Sequence, residues 1–363
     1  MEELKKLREG IDRIDEEILR LLNERAKLAK KIGEIKTKRN LPIHVPERER
    51  EIFEKILRLN KEVYGEIFPS EALIHIYREI ISACLSLEKR LKIAYLGPKA
   101  TFTHQAALEF FGFSAQFIPC STIKDVFLEV ENKRVDYGVV PVENTIEGVV
   151  NYTLDMFLSS DVKIAGEIVI PIVLHLLSTS DKLENIKRVY SHKMALAQCR
   201  DWLERNLPSV QIIEVDSTAK ACEIALEDET AGAIASEVAA YTYHLNILAR
   251  NIQDSADNYT RFLVIAKKDL KPTGNDKTSL LFGVKDEPGA LYKALEVFYK
   301  HGINLTKIES RPSKKRAWDY VFFIDLEGHK EDKRIKEALE ELKEKTQFLK
   351  VLGSYPKALF QES

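Results

Sequence analysis

The chain has few cysteines, no long apolar run and no excess of either charge, and each absence narrows what it can be. With no apolar stretch of about 18 residues, no membrane-spanning helix is expected. The opening Met1-Glu2-Glu3-Leu4-Lys5-Lys6 has neither the apolar core of a secretory signal nor a transit-peptide composition, so a cytoplasmic location with no membrane partner is expected. Cys84, Cys120, Cys199 and Cys222 stand far apart without a CxxC pair and read as buried thiols, not as zinc ligands or a disulfide framework. The 55 Lys and Arg residues against 57 Asp and Glu give a formal charge of -2. That balance excludes a strongly basic nucleic-acid surface, and its interspersed charges fit an ion-pair-rich exterior. No GxGxxG follows a strand and no GxxxxGK(S/T) occurs, so neither a dinucleotide site nor a P-loop is signalled. Internal repeats and low-complexity tracts are also missing.

What is there is 363 residues, 45% of them hydrophobic, enough for two or three domains. Three segments are legible: all-α over residues 1–91, α/β over 92–267 and, after a polar linker holding Pro272, Gly274 and Asn275, α+β over 278–355. In the first, Leu4, Leu7, Ile11, Ile14, Ile18, Leu21, Leu28, Ile32 and Ile35 form one stripe at three-four spacing. The stripe predicts a helix ~57 Å long, ending at Asn40-Leu41-Pro42, and a unit of this size cannot cover such a rod alone. A partner chain is implied. A second helix starts at Pro46 and carries Ile52, Phe53, Ile56, Leu59 and Val63. Ser70 is expected to cap a third, bearing Leu73, Ile74, Tyr77, Ile81, Cys84 and Leu85.

Arg25 interrupts the apolar stripe, and a guanidinium there needs an anion, supplied either by the protein or by a ligand. Lys36 lies ~16 Å further along the helix, within reach of one small anion from both ends. Arg8 is ~26 Å from Arg25, too far to grip the same molecule, so it belongs to another site, such as one on a second chain. Arg48 and Glu49 open the second helix, and Cys84 and Glu88 close the third at i,i+4 spacing.

Together, Leu-Arg8-Glu-Gly-Ile-Asp-Arg-Ile-Asp, Asn-Glu-Arg25-Ala-Lys-Leu-Ala and the stretch from Lys36 to Arg48-Glu49-Arg50 resemble the all-helical chorismate mutase family over residues 1 to about 90. The resemblance implies an intertwined homodimer of three-helix chains. Its cations bind the two carboxylates of chorismate, with Arg8 crossing from the other subunit and Arg25, Arg48, Glu49 and Cys84 also binding substrate. Rearrangement of chorismate to prephenate needs no nucleophile, only a dianion held compactly and charge stabilised at the ether oxygen, to which Lys36 can donate. The chain departs from the commonest family pattern at Val45 (often Asp), Cys84 (Ser) and Glu88 (Gln).

The second segment alternates β-rich runs with helices: Ile93 to Leu96, Tyr137 to Val142, Ile168 to Leu177, Val189 to Ser191, Ala231 to Ala235 and Phe262 to Ala266. This predicts a mostly parallel sheet with helices on its faces. Hydroxyls and amides cluster where strands end, the usual ligand crevice of an open α/β sheet: Thr101, Glu143-Asn144-Thr145, and Ser191-His192 with Gln198 in the next helix, while Thr260-Arg261 leads into the final strand after a polar loop holding Asp257 and Asn258. The runs Gly-Pro-Lys-Ala-Thr101-Phe-Thr-His-Gln-Ala-Ala, Val-Pro-Val-Glu143-Asn144-Thr145, Tyr-Ser191-His192 and Asn-Tyr-Thr260-Arg261-Phe262 resemble prephenate dehydratases over residues 92 to about 267. The resemblance implies two lobes around a cleft, conversion of prephenate to phenylpyruvate with loss of CO2 and water, and no metal or cofactor. Thr260 would be the acid, with Thr101, Asn144, Thr145, Ser191, His192, Gln198 and Arg261 binding or polarising substrate. Ala100 stands where a Gly is usual.

The last segment reads strand (Thr278 to Val284), helix (Gly289 to His301), strand (Asn304 to Ser310), strand (Trp318 to Leu326), helix (Asp332 to Lys345), strand (Leu349 to Tyr355), the ferredoxin-like βαββαβ order. Gly289-Ala290-Leu291 and Glu309-Ser310-Arg311-Pro312 resemble the two motifs of the ACT domain attached to prephenate dehydratases. That resemblance implies end-product inhibition by phenylalanine bound between subunits, with Gly289, Ala290, Leu291, Asn304, Leu305, Glu309 and Ser310 lining the site. Whether dimers pair into tetramers is left open. Two rivals are a mutase joined to a dehydrogenase, which the missing dinucleotide fingerprint opposes, and a mutase fused to a non-catalytic aromatic-ligand sensor, which would gain nothing from a hydroxyl acid at Thr260. Glu88 yields a test of its own. A Gln donates to the ether oxygen at any pH, whereas Glu88 donates only when protonated. Mutase activity should therefore rise toward acid pH and Glu88→Gln should flatten the profile; a flat pH–rate profile in the unmutated chain would sink the idea.

Overall fold

The computed structural model describes residues 1–312 and 320–358, which form two compact units. The first joins Met1–Lys92 to Leu108–Gln116; the second holds Ile93–Ala107 and the chain from Phe117 onward. Apart from Lys92 and Leu108–Gln116, the segments 92–267 and 278–355, separate in sequence, thus share one unit.

The first unit is built on α1 (Glu2–Lys38), α2 (Pro46–Glu62) and α3 (Ser70–Glu88). Pro46 opens α2, where a residue without an N–H costs nothing. Ser70 is the first residue of α3 and not its cap: its hydroxyl donates to Glu66 Oε1 at 2.6 Å. Along α1 only Ala29 and Gly33 are buried. Gly33 lets α3 approach closely, since a Cβ there would lie 2.8 Å from Glu88 Cγ. The nine apolar residues of the stripe are 49–63% exposed, so this chain does not cover its own seam.

Among the described residues the second unit contains three sheets. Strands β1 (Lys92–Leu96), β2 (Gln116–Cys120), β3 (Tyr137–Asn144), the two-residue β4 (Gly148–Val149) and β5 (Lys163–Pro171) form the first with β11 (Tyr259–Ala266), in the order β2-β1-β3-β11-β5 with β4 beside β3. Helices α4 (Phe102–Phe111), α5 (Ile123–Glu131) and α6 (Asn151–Ser159) accompany them. The second sheet, β10-β6-β9-β7-β8, comprises β6 (His175–Ser178), β7 (Arg188–Ser191), β8 (Gln211–Glu214), β9 (Ala231–Ala235) and β10 (Asn246–Ala249). With it go α7 (Lys193–Gln198), α8 (Arg200–Asn206), α9 (Thr218–Glu227) and α10 (Glu237–Tyr243).

The expected mostly parallel sheet is therefore two mixed ones. β1 runs parallel to β3, and β7 to β8 and β9, but β11 is antiparallel to both β3 and β5, and β6 to β9 and β10. The run Ile168 to Leu177, expected as one strand, is split between β5 in one sheet and β6 in the other. Ile172 and Leu174 between them are also buried, so hydropathy carries no mark of the break.

The third sheet, β13-β14-β12-β15, uses β12 (Asp276–Gly283), β13 (Leu305–Pro312), β14 (Tyr320–Glu327) and β15 (Phe348–Pro356), with α11 (Ala290–Lys300) and α12 (Lys333–Lys345) on one face. Ala294, Val297 and Phe298 of α11 and Ala338 and Leu342 of α12 pack on Leu280, Phe282 and Ile324. This is the expected βαββαβ order; Trp318, the expected start of its third strand, lies outside the described residues. Backbone meets backbone where β15 approaches β5: a Cβ on Gly353 would fall 2.2 Å from the Ile164 carbonyl oxygen. All four cysteines are buried and free.

Candidate functional site

In the helical unit the structure gathers charges where α1 meets α3. Lys36 Nζ donates to the Ile43 carbonyl (2.6 Å) and to Glu88 Oε2 (3.0 Å). Arg25 is partly buried and reaches the Ile80 carbonyl at 3.4 Å. Cys84 is buried on α3. Glu49 is held by His44 at 3.0 Å. Burial pushes the Glu49 carboxyl up, but His44 and, further off, Arg78 and Arg25 outweigh it and leave the group below the usual carboxylate range. Arg8 and Arg48 lie in solvent, Arg48 paired with Glu51 at 2.6 Å. His44 and Arg78 were not singled out from sequence. Arg78 stacks on Phe53 (4.7 Å to the ring centre) and donates to the Phe110 carbonyl. The only prior signal was its place beside Tyr77 on the buried stripe of α3.

In the second unit, β3 and β11 bring their site residues together as ladder partners. Thr260 pairs with Asn144, and Arg261 with Glu143. Asn144 Oδ1 accepts the backbone N–H groups of Ile146 and Glu147, both at 2.9 Å, which fixes the amide so that Nδ2 faces Thr260 Oγ1 at 2.8 Å. The Thr260 hydroxyl therefore accepts from Asn144 and keeps its own proton to give. The network continues through Asn258, whose Oδ1 accepts from Asn144 (2.8 Å) and whose Nδ2 donates to Gln198 Oε1 (3.0 Å), a residue of the other lobe. Thr145 fastens the same loop, donating to the Asp257 carbonyl and accepting from Tyr259 N–H, both at 3.0 Å. A cavity of about 240 Å³ next to this network is lined by Ile146, Met194, Ala197, Gln198, Gln253 and Asn258, among others. Asn258 was noted in the sequence only as part of a polar loop; nothing there marked it as the link between lobes.

Thr101 precedes α4, and its hydroxyl lies 3.0 Å from the Pro98 carbonyl. Ala100 before it adopts the left-handed conformation (φ +68°) expected of the usual Gly, at a cost of about 1–2 kcal/mol. Its N–H donates to His104 Nδ1 at 3.2 Å. Burial, helped by Lys99, pushes His104 down to about 4, so at neutral pH its ring is uncharged and can accept that bond. His192 caps α7 with its own ring, and Ser191 is fully buried, giving its proton to the Ile234 carbonyl at 2.6 Å. Ser191 is thus spent inside the second sheet.

Arg261 corrects the sequence reading. Neighbours on a strand point to opposite faces, and with Thr260 bonded to Asn144 on one, Arg261 lies on the other. There it meets Glu167 (2.9 Å), Asp325 (2.7 Å) and the Tyr355 hydroxyl (3.1 Å). Lys277 meets Glu167 at 2.8 Å. Burial pulls the Arg261 guanidinium down, but Tyr355, Asp325 and Glu167 outweigh it and hold the proton on. Two cations and two anions balance here, and truncating one would leave a buried charge at a cost of about 3–5 kcal/mol. Arg261 is not available to a substrate carboxylate.

In the third sheet Gly289, Ala290 and Leu291 line a cavity of about 340 Å³ with Val284, Tyr320 and Phe322. Asn304, Leu305, Glu309 and Ser310 do not line it; they lie on or just before β13, across β14 from β12. Two other β13 residues make ion pairs outside their own sheet: Lys307 meets Glu143 of β3 at 2.6 Å and Arg311 meets Asp155 of α6 at 3.0 Å.

Family models for chorismate mutase type II, prephenate dehydratase and the ACT domain match residues 7–89, 93–270 and 278–344. The bifunctional chorismate mutase/prephenate dehydratase of Aquifex aeolicus is 87% identical over 362 residues, covering 100% of both chains. Its Pseudomonas aeruginosa counterpart is 45% identical and covers 99% of each. A solved prephenate dehydratase from Arthrobacter aurescens in complex with L-Phe superposes with a TM-score of 0.69 at 34% identity, covering 75% of this chain and 92% of that one. With all three segments matched in order and a relative alike from end to end, the chain belongs to the bifunctional chorismate mutase/prephenate dehydratase family.

Proposed function

We propose that this chain makes phenylpyruvate from chorismate in two steps in phenylalanine biosynthesis, and that phenylalanine restrains the second. The observation that carries the reading is the Asn144–Thr260 bond: a hydroxyl that accepts from a fixed amide has its proton free and its acidity raised. In the dehydratase step Thr260 gives that proton to the departing C4 hydroxyl of prephenate while the ring carboxylate leaves as CO2; the C–C bonding pair closes the aromatic ring, and water restores Thr260. Aromatisation supplies the driving force, so a weak acid suffices. Asn144 polarises Thr260, while Thr101, Thr145, His192 and Gln198 line or brace the cleft. A mere aromatic-ligand sensor would not need this arrangement.

For the mutase step we assign Lys36 and Glu88 to the ether oxygen and Arg25, Arg48, Glu49 and Cys84 to binding chorismate, with Arg8 supplied by a second copy of the chain. The half-exposed seam of α1 supports that dimer: covering nine such side chains is worth on the order of 10 kcal/mol. Phenylalanine is assigned to the cavity at Gly289, Ala290 and Leu291, with Asn304, Leu305, Glu309 and Ser310 joining from a neighbouring subunit. No helix among the described residues is long and apolar enough to cross a membrane, and we place the chain in the cytoplasm.

Incubation with chorismate should yield phenylpyruvate, and less of it when phenylalanine is added. Prephenate accumulating unchanged would remove the dehydratase reading and leave the mutase. Asn144→Asp should be worse than Asn144→Ala, about 1000-fold against about 100-fold in dehydratase kcat, because a carboxylate takes the Thr260 proton for itself. Equal losses would argue against the polarising role. Arg8→Ala and Arg25→Ala chains, each nearly inactive as mutases, should regain activity when mixed, since one of the two shared sites is then intact; no recovery in verified heterodimers would contradict the shared site.

A further inference from the structure

The first and third sheets of the second unit are joined at the back of the Thr260 rung. Glu143 and Arg261 form the rung next to Asn144 and Thr260, so each is covalently bonded to a cleft residue and faces the other way. All four strands of the third sheet hold this pair or its immediate partner. β13 gives Lys307 to Glu143, β14 gives Asp325 and β15 gives Tyr355 to Arg261, and β12 gives Lys277 to Glu167, which Arg261 shares. Three further features suit these rungs to transmit displacement. The ladder between β11 and β3 shifts register directly after Arg261, where Phe262 pairs with Pro141, so on the β3 side the two end rungs are offset from the rest while the β5 side stays in register there. A cavity of about 300 Å³ bordered by Glu143, Arg261, Lys307 and Asp325 leaves the charges room to rearrange. The hydroxyl of Tyr355 is shared with Ser279, tying Arg261 into β12 as well.

We propose that Arg261 and Glu143 are positioning residues that set the Thr260–Asn144 hydrogen bond from the back of the sheet, and that the third sheet's grip on them is the route by which phenylalanine lowers dehydratase activity. The second half rests on the phenylalanine reading above. When the third sheet shifts, Lys307, Asp325 and Tyr355 carry Glu143 and Arg261 with them, and the adjoining Asn144 and Thr260 lose their 2.8 Å alignment. Reciprocity applies to the binding part of the coupling: whatever factor phenylalanine takes from prephenate affinity, prephenate takes from phenylalanine affinity.

The test uses the full chain, prephenate as substrate, and phenylalanine binding measured directly by calorimetry. Arg261→Lys keeps the charge but loses the two-pronged grip; it should lower kcat about tenfold with KM within about twofold. Lys307→Met and Tyr355→Phe remove holds on the third-sheet side. They should keep kcat within about threefold and bind phenylalanine within about twofold, yet keep more than about half of their activity when phenylalanine is saturating. Arg261→Lys raising KM at unchanged kcat would place Arg261 against substrate and overturn the positioning role. Lys307→Met and Tyr355→Phe both inhibited like the unmutated chain, or losing phenylalanine binding itself, would overturn the route. An unmutated chain that neither binds nor responds to phenylalanine overturns the regulatory reading instead, and Arg261→Lys then still decides the positioning role.

Discussion

The second unit depends on four buried charges. Glu167, Arg261, Lys277 and Asp325 come from β5, β11, β12 and β14, so two sheets have their faces fastened by one neutral cluster. Apolar packing between sheets is non-directional and would tolerate sliding; ion pairs at 2.7 to 2.8 Å are not so forgiving. The close approach of Gly353 to Ile164 sets the separation of the same two sheets, and the cluster sets their register. Flanking lysines repeat the arrangement, Lys163 donating to the Val351 carbonyl and Lys350 to those of Phe157 and Ser160. The third segment is in this sense a lid on the back of the sheet whose front carries the acid.

The helical unit uses the same economy of means. One residue without a side chain, Gly33, brings α3 against α1, and the carboxylate so delivered meets Lys36. The rest of the long helix offers little to its own chain. Its only buried residues are small, and the large ones face outward.

Much of this was legible in the sequence because periodicity reports burial. The α1 stripe is a direct reading of a 3.6-residue repeat, the strands of the βαββαβ order and those beside Asn144 and Thr260 show as short β-rich runs, and the motifs around Asn144 and Thr260 mark the two residues themselves. What escaped had no periodic signature. Ile168 to Leu177 is apolar throughout, which hides a change of sheet. β8 and β10 are short, with mostly exposed or half-exposed residues, and carry no alternation strong enough to see. Arg261 was misplaced by sequence proximity: being next to Thr260 suggests a shared site, while strand geometry demands opposite faces. The pairing of Glu49 with His44, and the burial of Arg78 above Phe53, depend on contacts across a turn and between helices that no single stripe encodes.

The cysteines, noted first for their scarcity, end as a statement about oxidation chemistry. Burial pushes the thiols of Cys120, Cys199 and Cys222 up to about 11, 12 and 12, so almost none of each is thiolate at neutral pH. Thiolate, not thiol, attacks disulfides and peroxides. Held as thiols and shut away from solvent, these three side chains are poor nucleophiles toward disulfides and peroxides.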